Sequence, residues 1–481
     1  MSLPPPIVPL TESALIDEAA QNLGCDLGDL MERAGTALAR EAQRLVSGGP
    51  VLIACGQGNN GGDGYVCARI LAESGRDVVV WAVTSPVSPL CIQAAEALPE
   101  SVTRSSPPIL IRPALVIDAV LGAGTRGRPR EPIAGALTIL REFALSGVPV
   151  LAADVPSGLG SDLEVPATRS VCFQTAKAEL LRAGGEFTTV DLGIPPAAWQ
   201  EIQPVCLRRF PPLRREGRKG NHGELLIIGG GLFPGALEFS ARAAVRTGCD
   251  LVRAWTAGTA ALPPTVVCHR QDRPSLVPAD PEELTPLIVR AGAVLIGPGL
   301  GQEEGTYDAA RQAFSLALEL GVPVVLDADG ITACAQQVRA LEDPEARVLL
   351  TPHAREARTL LGSAATESSV HAFARRNRVI LAKGMVDLVT DGWRWQHNHR
   401  GNPRMTVGGT GDVLAGLAAG LLARGALPYD AARMAVLWIT TAGDSLWPER
   451  GPCYDTLDLI EALPQTLRRL MEPLGYWPPV A

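Results

Sequence analysis

The chain contains little lysine, few aromatic residues and no surplus of positive charge. Lysine supplies only three of the 43 basic residues, aromatic residues make up 4%, and the formal net charge is −8 at pH 7. Nucleic-acid-binding proteins usually carry a basic patch or stripe, so nucleic acid is not the expected partner. With 481 residues, 46% hydrophobic and 20% charged, the composition fits a soluble globular protein of two or three domains.

Paired cysteines, long apolar runs and an export signal are also missing. The ten cysteines include no CxxC pair and occur singly, which favours reduced thiols over a disulfide framework. The apolar run at residues 413–423 is well short of the ~20 residues that a membrane span needs. The N-terminal residues lack the basic and apolar regions of a signal peptide. We therefore expect a cytoplasmic protein with no membrane partner.

The scarcity of lysine makes the three that remain informative. They are Lys177, Lys219 and Lys383. The arginine bias most simply reflects a coding preference, and a retained lysine can be chance. A compact ammonium group is nevertheless not replaceable by a guanidinium at a tight phosphate site. Lys383 is therefore a candidate phosphate contact.

The segment MTVGGTGDVLAG at residues 405–416 is the most informative stretch of the chain. Its glycines let backbone N–H groups surround an anion, and the apolar helix that follows adds partial positive charge at its start. Asp412 at this place could simply be a helix N-cap. Together with Lys383 and His353 upstream, the pattern favours phosphoryl transfer to a hydroxyl group, with Asp412 taking the proton.

A second glycine-rich segment follows a predicted strand at residues 51–55. The sequence GQGNNGGDG occupies residues 56–64, and a helix is predicted from Tyr65. Strand, glycine loop and helix form a turn that binds phosphates. The tandem amides of Asn59 and Asn60 offer oxygen ligands for a hard cation or donors for a phosphate. The alternative is an Asx-rich turn with Asp63 as the helix N-cap.

Further predicted strands at residues 78–83, 115–120 and 148–153 alternate with helical patterns. This order indicates a parallel sheet covered on both faces, with ligands outside the carboxyl ends of the strands. Asp118 ends one of these strands before a glycine-rich loop, and Asp154 ends the next, shortly before Ser157. These residues predict a pocket, although turn formation alone is the alternative.

The motifs GQGNNGGDGYVCAR, IDAVLGAGTRG, DVPSGL and VDLGIP resemble the epimerase domain of NAD(P)H-hydrate repair enzymes over residues 12–196. The resemblance implies a potassium ion held by Asn60, Asp118 and Ser157, and an acid–base role for Asp154. The loop after Leu159 is shorter than the family's usual insertion. The contacts implied for the hydrated nucleotide are Asn59, Asn60, Gly61, Gly62, Asp63, Gly122, Ala123, Gly124, Thr125, Arg126, Gly127, Arg128 and Asp154.

The segment at residues 210–219 is rich in proline and charge and is the predicted linker. It places one domain at residues 1–212 and a second at residues 213–481. Apolar strands recur after it, at residues 223–231, 293–297, 322–327, 347–351 and 379–383. Because its loop motifs differ from those of the first half, this half is a second doubly wound α/β unit and not an internal repeat.

Six motifs in this half resemble the ribokinase-like superfamily and, within it, NAD(P)H-hydrate dehydratases, over residues 217–447. They are RKGNHGELLIIGGGLFPGA, IGPGLG, DADG, LLTPHAREA, LAKGMVDLVTDG and GNPRMTVGGTGDVLAG. The two resemblances together imply a Rossmann-like epimerase domain followed by a ribokinase-like dehydratase domain. The implied hydrate contacts are Ala236, Gly299, Gly301, His353 and Asp412. The implied phosphate contacts for ADP or ATP with Mg²⁺ are Lys383, Gly384, Met385, Val386, Asp387, Gly408, Gly409, Thr410 and Gly411.

The resemblance implies two activities on small molecules. One domain would interconvert the R and S forms of the hydrated cofactors NADHX and NADPHX, and the other would dehydrate the S form with ADP. Phosphate leaves far more readily than hydroxide, because its second pKa is about 6 and that of water is about 15.7. The alternatives are a ribokinase-like kinase of a vitamin-precursor alcohol, or a first domain that only binds ligands. A homo-oligomer is expected.

Overall fold

The computed structural model describes residues 3–106, 112–124, 127–375 and 377–480. Their contacts group into an N-terminal unit, residues 5–199, and a C-terminal unit formed by residues 200–480 with residues 3–4. The predicted linker belongs to the C-terminal unit. Phe210 at its start is buried in the core of that unit, together with Leu207 and Ile202 just before it, whereas residues 212–219 are exposed. The domain bounds 1–212 and 213–481 stay a prediction.

The N-terminal unit contains a seven-stranded parallel sheet in the order β4-β3-β2-β5-β6-β7-β9, and a short pair β1-β8. Its strands are β1 (Ile7–Val8), β2 (Val51–Cys55), β3 (Val78–Ala82), β4 (Thr103–Ser105), β5 (Leu115–Ala119), β6 (Val150–Ala153), β7 (Arg169–Phe173), β8 (Ala176–Lys177) and β9 (Phe187–Val190). Its helices are α1 (Leu10–Asn22), α2 (Leu27–Leu45), α3 (Asn59–Glu73), α4 (Pro89–Glu96), α5 (Ile133–Leu145), α6 (Ala178–Arg182) and α7 (Ala197–Gln200).

The spacing of apolar residues at residues 15–44 predicts one continuous helix, but the structure has two helices there. Gly24, with φ of +89°, breaks the chain between α1 and α2, because glycine adopts this left-handed conformation without a Cβ clash. Asp26 then caps α2 by accepting hydrogen bonds from the backbone N–H groups of Gly28 and Asp29. The prediction of one continuous helix is wrong.

The glycine run after β2 is also different from the prediction. Helix α3 begins at Asn59, with Gly58 as its N-cap, so the helix start predicted at Tyr65 is wrong and Asp63 is not a cap. A Cβ at Gly61 would overlap the Gly56 carbonyl oxygen, and one at Gly62 would overlap Met31. These glycines therefore allow α3 to pack closely against its neighbours.

The C-terminal unit contains a nine-stranded sheet in the order β12-β11-β10-β13-β14-β15-β16-β17-β18, with β17 and β18 antiparallel to their neighbours. Its strands are β10 (Glu224–Ile228), β11 (Leu251–Thr256), β12 (Val266–Arg270), β13 (Ala293–Ile296), β14 (Val324–Leu326), β15 (Val348–Leu350), β16 (Arg378–Ala382), β17 (Asp387–Thr390) and β18 (Trp395–Asn398). Its helices are α8 (Pro234–Arg246), α9 (Pro281–Arg290), α10 (Glu304–Glu319), α11 (Ala328–Arg339), α12 (Ala354–Leu361), α13 (Glu367–Phe373), α14 (Thr410–Ala423), α15 (Pro428–Arg450) and α16 (Thr456–Met471).

The histidines beside the tryptophans at residues 393–399 predict an exposed hairpin, but the structure buries much of the hairpin of β17 and β18. Trp395 is 7% exposed and belongs to the core, and its indole N–H donates to the Pro4 carbonyl at 2.8 Å. Burial of the large apolar indole stabilises β18 against the core, and this outweighs the exposure that the polar residues beside it favour.

Helix α14 is apolar on all sides and lies in the core of the C-terminal unit. A Cβ at Gly416 would overlap the backbone of Ser240, so glycine at this position lets α14 lie directly against α8. The Ser240 hydroxyl also donates to the Asp412 carbonyl at 3.0 Å. This packing fixes the first turn of α14. None of the helices in the described residues has the length and apolar character of a membrane span.

Candidate active sites

The N-terminal unit has a cavity of about 420 Å³ beside the carboxyl ends of β2, β5 and β6. Seven residues predicted from the sequence line this cavity: Asn59, Asn60, Asp63, Gly122, Ala123, Gly124 and Asp154. Gly127 lines a separate cavity of about 60 Å³, and Arg128 pairs with Asp162 at the surface at 2.9 Å. Gly61 and Gly62 pack within α3, and Thr125 and Arg126 lie outside the described residues.

Asp118 and Ser157 are in direct contact below this cavity. The Ser157 hydroxyl donates to Asp118 Oδ1 at 2.6 Å, and the Ser157 backbone N–H donates to Oδ2 at 2.8 Å. Burial raises the pKa of Asp118, and the hydrogen bonds from Ser157 oppose that shift. Among the described residues no cationic side chain pairs with Asp118, although it is fully buried. A buried carboxylate without a cation is unfavourable, so this place suits a positive ion.

Asn60 lies close to the loop that continues from this pair. Its buried Nδ2 has no hydrogen-bond partner in the described part of the chain, and its Oδ1 lies 3.2 Å from where a Gly122 Cβ would be. The neighbouring Leu121 N–H donates to the Ser157 hydroxyl at 2.8 Å. A carboxylate, a hydroxyl and a carboxamide provide the oxygen ligands that hard cations take.

Asp154 forms a buried ion pair with Lys177. Lys177 Nζ lies 3.2 Å from Asp154 Oδ1, and the side chains are 3% and 11% exposed. The same Oδ1 accepts the Phe173 backbone N–H at 3.2 Å. Asp154 has φ of +63°, and such strain in a residue other than glycine is typical of functional sites. Sequence reasoning missed Lys177 at this site, although its scarcity was a signal that could have found it.

Asp17 and Asp63 add two more carboxyl groups to the cavity. Burial raises the pKa of Asp17 to about 6, with Lys177 opposing the shift and Asp154 reinforcing it. Burial also raises the pKa of Asp63, and Asp154 and Asp17 reinforce that shift. Sequence reasoning missed Asp17 too, because a single Asp within a helical pattern carries no motif.

In the C-terminal unit, Gly409 is the N-cap of α14 and Asp412 lies in its first turn. The alternative that Asp412 is the N-cap is therefore wrong. Gly409 has φ of +97°, and a Cβ there would lie 2.5 Å from the Phe239 ring. Burial raises the pKa of Asp412 to about 7, the Asp327 carboxylate adds to the shift and Lys383 opposes it. A carboxyl group with this pKa can take a proton near neutral pH.

Lys383, like Lys177, forms a buried ion pair with an aspartate, here Asp327. The Lys383 Nζ to Asp327 Oδ1 distance is 2.9 Å, and Thr351 donates its hydroxyl to the same oxygen at 2.7 Å. A Cβ at Gly411 would lie 3.4 Å from Nζ, so the ammonium reaches the start of α14. Burial acts to lower the pKa of Lys383, but Asp327, Glu356 and Asp412 raise it above its ordinary value. Lys383 is therefore charged at neutral pH.

A lone histidine after a strand is about as often structural as ligand-binding, and the structure gives His353 a structural role. It is the N-cap of α12, and its Nδ1 accepts the backbone N–H groups of Arg355 and Glu356 at 3.1 and 3.2 Å. Glu356 completes a capping box by accepting the His353 backbone N–H at 2.8 Å. His353 Nε2 lies 3.3 Å from Glu356 Oε1, and the imidazole ring is half-exposed. Its contact with the hydrate stays a prediction.

The other predicted residues of this unit fall into two groups. Gly299 and Gly301, with φ of +69° and +84°, lie against the segment that leads into α8, where Ala236 is close to Gly299. Residues 384–387 form the second group, a turn that leads into β17. In this turn Asp387 accepts a hydrogen bond from the Gly384 N–H at 3.1 Å, and Met385 is fully exposed. Gly408, Thr410 and Val386 are partly or fully exposed beside these groups. Their ligand contacts stay predictions.

The C-terminal sheet, with a carboxylate in the first turn of a glycine-capped helix beside a buried ammonium, defines a ribokinase-like α/β unit. Its fold is like that of a ribokinase-like superfamily protein from Enterococcus faecalis, at 23% identity and a TM-score of 0.50, over 56% of this chain and 96% of that chain. The N-terminal unit adds a separate parallel α/β sheet with its own cavity.

The chain belongs to the family of bifunctional NAD(P)H-hydrate repair enzymes. Residues 225–465 match the model described as NAD(P)H-hydrate dehydratase, and residues 27–178 match that of the YjeF-related protein N-terminus. The repair enzyme of Hyperthermus butylicus is 36% identical over 95% of this chain and 92% of that protein. That of Pyrobaculum aerophilum is 36% identical over 95% and 97%. The predicted family and fold class are confirmed.

Proposed function

We propose that this enzyme repairs hydrated nicotinamide cofactors in two steps. The N-terminal unit interconverts the R and S forms of NADHX and NADPHX, and the C-terminal unit dehydrates the S form with ADP or ATP. The observation that carries the proposal is Asp412 with its pKa raised to about 7, in the first turn of α14 beside the Lys383 ammonium. The family to which the chain belongs supports both activities.

In the C-terminal unit, Asp412 removes the proton from the 6-hydroxyl of the hydrate as that oxygen attacks the terminal phosphoryl group. The backbone N–H groups of Gly408, Gly409 and Gly411 and the charge of Lys383 stabilise the transferring group. The C6–O bond then breaks with phosphate as the leaving group, while the neighbouring ring carbon loses a proton and its C–H electron pair forms the ring double bond of NADH or NADPH. Phosphate lowers the barrier because its conjugate acid is far stronger than water.

Magnesium would enter this site on the nucleotide. In the described residues no group of three or more His, Cys, Asp or Glu side chains is arranged to hold a metal. Mg²⁺ commonly uses one or two carboxylates together with substrate phosphates, and the Asp327–Asp412 region provides carboxylates beside the phosphate-binding glycines. When bound, it neutralises phosphate charge. The remaining phosphate contacts proposed are Gly384, Met385, Val386, Asp387 and Thr410, and those proposed for the hydrate are Ala236, Gly299, Gly301 and His353.

In the N-terminal unit the 6-hydroxyl is part of a hemiaminal, so water can leave and return to either face. Asp154, positioned by Lys177, is the acid–base residue proposed for this exchange. The cavity volume lies within the ~300–1,000 Å³ of small-molecule sites. Potassium would be held by Asn60, Asp118 and Ser157, where it would offset the buried Asp118 charge. The nucleotide contacts proposed are those of the epimerase resemblance.

The kinase alternative is not favoured by the family comparisons. The two functions differ in product, because a kinase accumulates a phosphorylated alcohol and a dehydratase releases inorganic phosphate. A non-catalytic N-terminal unit is disfavoured by the built ion pair of Asp154 and Lys177. A cytoplasmic location and a homo-oligomer stay predictions.

One assay tests the proposed function. The purified chain is incubated with mixed hydrate epimers, ADP and Mg²⁺, while the reappearance of reduced-cofactor absorbance and the release of phosphate are followed. Repair of both epimers is expected. If only the S form is repaired and the R form remains, the N-terminal unit does not epimerise. A stable phosphorylated product would instead support the kinase.

A further inference from the structure

Asp17 lies in the same cavity as Asp154 and Lys177, but on a different element, helix α1. Its carboxyl group has no hydrogen bond or ion pair with the residues that the structure describes. By surface area Asp17 is exposed, and it lines the cavity, while the protein that surrounds it is dense enough to raise its pKa by desolvation. An unpartnered carboxyl group that faces a ligand-sized cavity is available to a substrate.

The fold ties α1 to the segment that carries Lys177. Strand β1 pairs in parallel with β8, so that Val8 lies opposite Lys177. Two residues later the Leu10 backbone N–H, at the start of α1, donates to Glu179 Oε2 at 2.9 Å. The start of α1 is therefore attached at two points to the segment that carries Lys177, through the β1–β8 pairing and through Glu179. This anchoring holds Asp17 at the wall of the cavity.

We propose that Asp17 is a second acid–base residue of the epimerisation, which donates a proton to the departing 6-hydroxyl while Asp154 accepts one from the returning water. This inference rests on the proposed epimerase function. The C6–O bond breaks with its electron pair on oxygen, and the Asp17 proton completes the water molecule. The ring nitrogen supplies the pair that forms the C=N bond. Water then adds to the other face, its proton passes to Asp154, and transfer through solvent to Asp17 restores the starting state.

The charged groups around Asp17 support this division of roles. Lys177 from β8 pairs directly with Asp154, which follows β6, and not with Asp17. Asp63 from α3 is the remaining carboxyl group that faces this space. Burial raises the pKa of Asp17 to about 6, with Lys177 opposing and Asp154 reinforcing the shift. Two carboxyl groups in different surroundings can act as acid and base at one pH.

The test measures epimerisation by the full chain in the absence of nucleotide, so that no dehydration takes place. Pure S hydrate is converted towards the R form at pH values from about 5 to 8, against a blank without enzyme. The variants are Asp17→Asn, Asp17→Glu and the control Glu18→Gln, a neighbour on α1 that does not line the cavity. Far-UV circular dichroism and thermal unfolding of each variant verify that the N-terminal unit is folded, and nucleotide-dependent dehydration of the S form verifies the C-terminal unit.

For the wild type we expect the rate to fall as pH rises through about 6, because the acid form of Asp17 is lost. Asp17→Asn should lower the rate by about 100-fold and remove this pH limb, since general acid catalysis contributes on the order of 10²–10⁴. Asp17→Glu should restore the limb, and Glu18→Gln should match the wild type. An Asp17→Asn variant that retains the wild-type rate, or that loses rate with the limb intact, would overturn the inference. A wild type without epimerisation would overturn the proposed function itself.

Discussion

The two units use the same device, a buried lysine paired with an aspartate that follows a parallel strand, but they use it differently. In the N-terminal unit Lys177 pairs at 3.2 Å with Asp154, the proposed acid–base residue. In the C-terminal unit Lys383 pairs at 2.9 Å with Asp327, while the proposed base Asp412 stands apart with a pKa raised to about 7.

The difference shows how one ion pair can serve two kinds of chemistry. Where the lysine binds the reactive carboxylate, it fixes the position of that group and its strained backbone. Where it binds a neighbouring carboxylate, it remains charged beside the glycines of α14 and leaves the reactive carboxyl free to take a proton. The third lysine, Lys219, is exposed and belongs to neither site.

The largest effects are expected from removing the two proposed acid–base residues separately. Asp412→Asn should reduce nucleotide-dependent dehydration by on the order of 10²–10⁴-fold, because the base that accepts the hydroxyl proton is gone. Asp154→Asn should reduce epimerisation similarly. Each variant is assayed for both reactions with pure S hydrate as the substrate.

Each of these variants is the control for the other. Asp412→Asn should retain epimerisation, and Asp154→Asn should retain dehydration. If Asp412→Asn still repaired the S hydrate, the assignment of Asp412 as the base of dehydration would be refuted.

Replacing each lysine by arginine compares the two buried lysines, Lys177 and Lys383, with the exposed Lys219. Lys177→Arg should slow epimerisation and Lys383→Arg should slow dehydration, each by about tenfold or more, because a guanidinium does not fit the space of an ammonium. Steady-state rates of both reactions provide the measurement.

Lys219→Arg is the matched control in the same chain and should leave both rates unchanged. Equal rates for Lys383→Arg and Lys219→Arg would show that the ammonium at the start of α14 has no part in phosphoryl transfer.

Dehydration should also depend on pH with a sign set by Asp412. Its ionised form acts as the base, so the rate should be full above about pH 7 and fall as pH decreases through that value. The measurement is the single-turnover rate of dehydration from pH 5.5 to about 8.5, a range chosen to span that pKa. A rate that is independent of pH across this range would contradict the assignment of Asp412.

The smallest expected effect concerns stability. Gly409→Ala should lower the free energy of unfolding by about 1–3 kcal/mol, because φ is +97° and the new Cβ would press on Phe239. Gly408→Ala, whose Cβ meets open space, is the control and should change little. Urea denaturation compares the two, and equal losses would contradict the role of Gly409 as the cap of α14.

Much of the fold follows from local pattern. Continuous apolar strands predict parallel sheets. The amphipathic pattern at residues 456–471 predicts a helix with the bounds that α16 has, since both signals are encoded in a few neighbouring residues. The start of α3 was missed because the glycines after β2 serve close packing against Gly56 and Met31, a contact made only after folding.

The candidate sites were predictable only in part for the same reason. Asp154 and Asp412 stand in recognisable motifs. The partners Lys177, Asp17 and Asp327 meet them only through the β1–β8 pairing and the order of parallel strands. The structural role of His353 also depends on the geometry of the first turn of α12, which sequence does not display.

The decisive question is whether the hydroxyl oxygen of the hydrate is phosphorylated before it leaves. The S hydrate is prepared with ¹⁸O in its 6-hydroxyl and repaired with ADP and Mg²⁺ by the Asp154→Asn variant, in which epimerisation does not exchange that oxygen with water. The released phosphate is analysed by mass spectrometry. The proposed role of Asp412 predicts one ¹⁸O atom in the phosphate. Unlabelled phosphate, with the label in water, would contradict it.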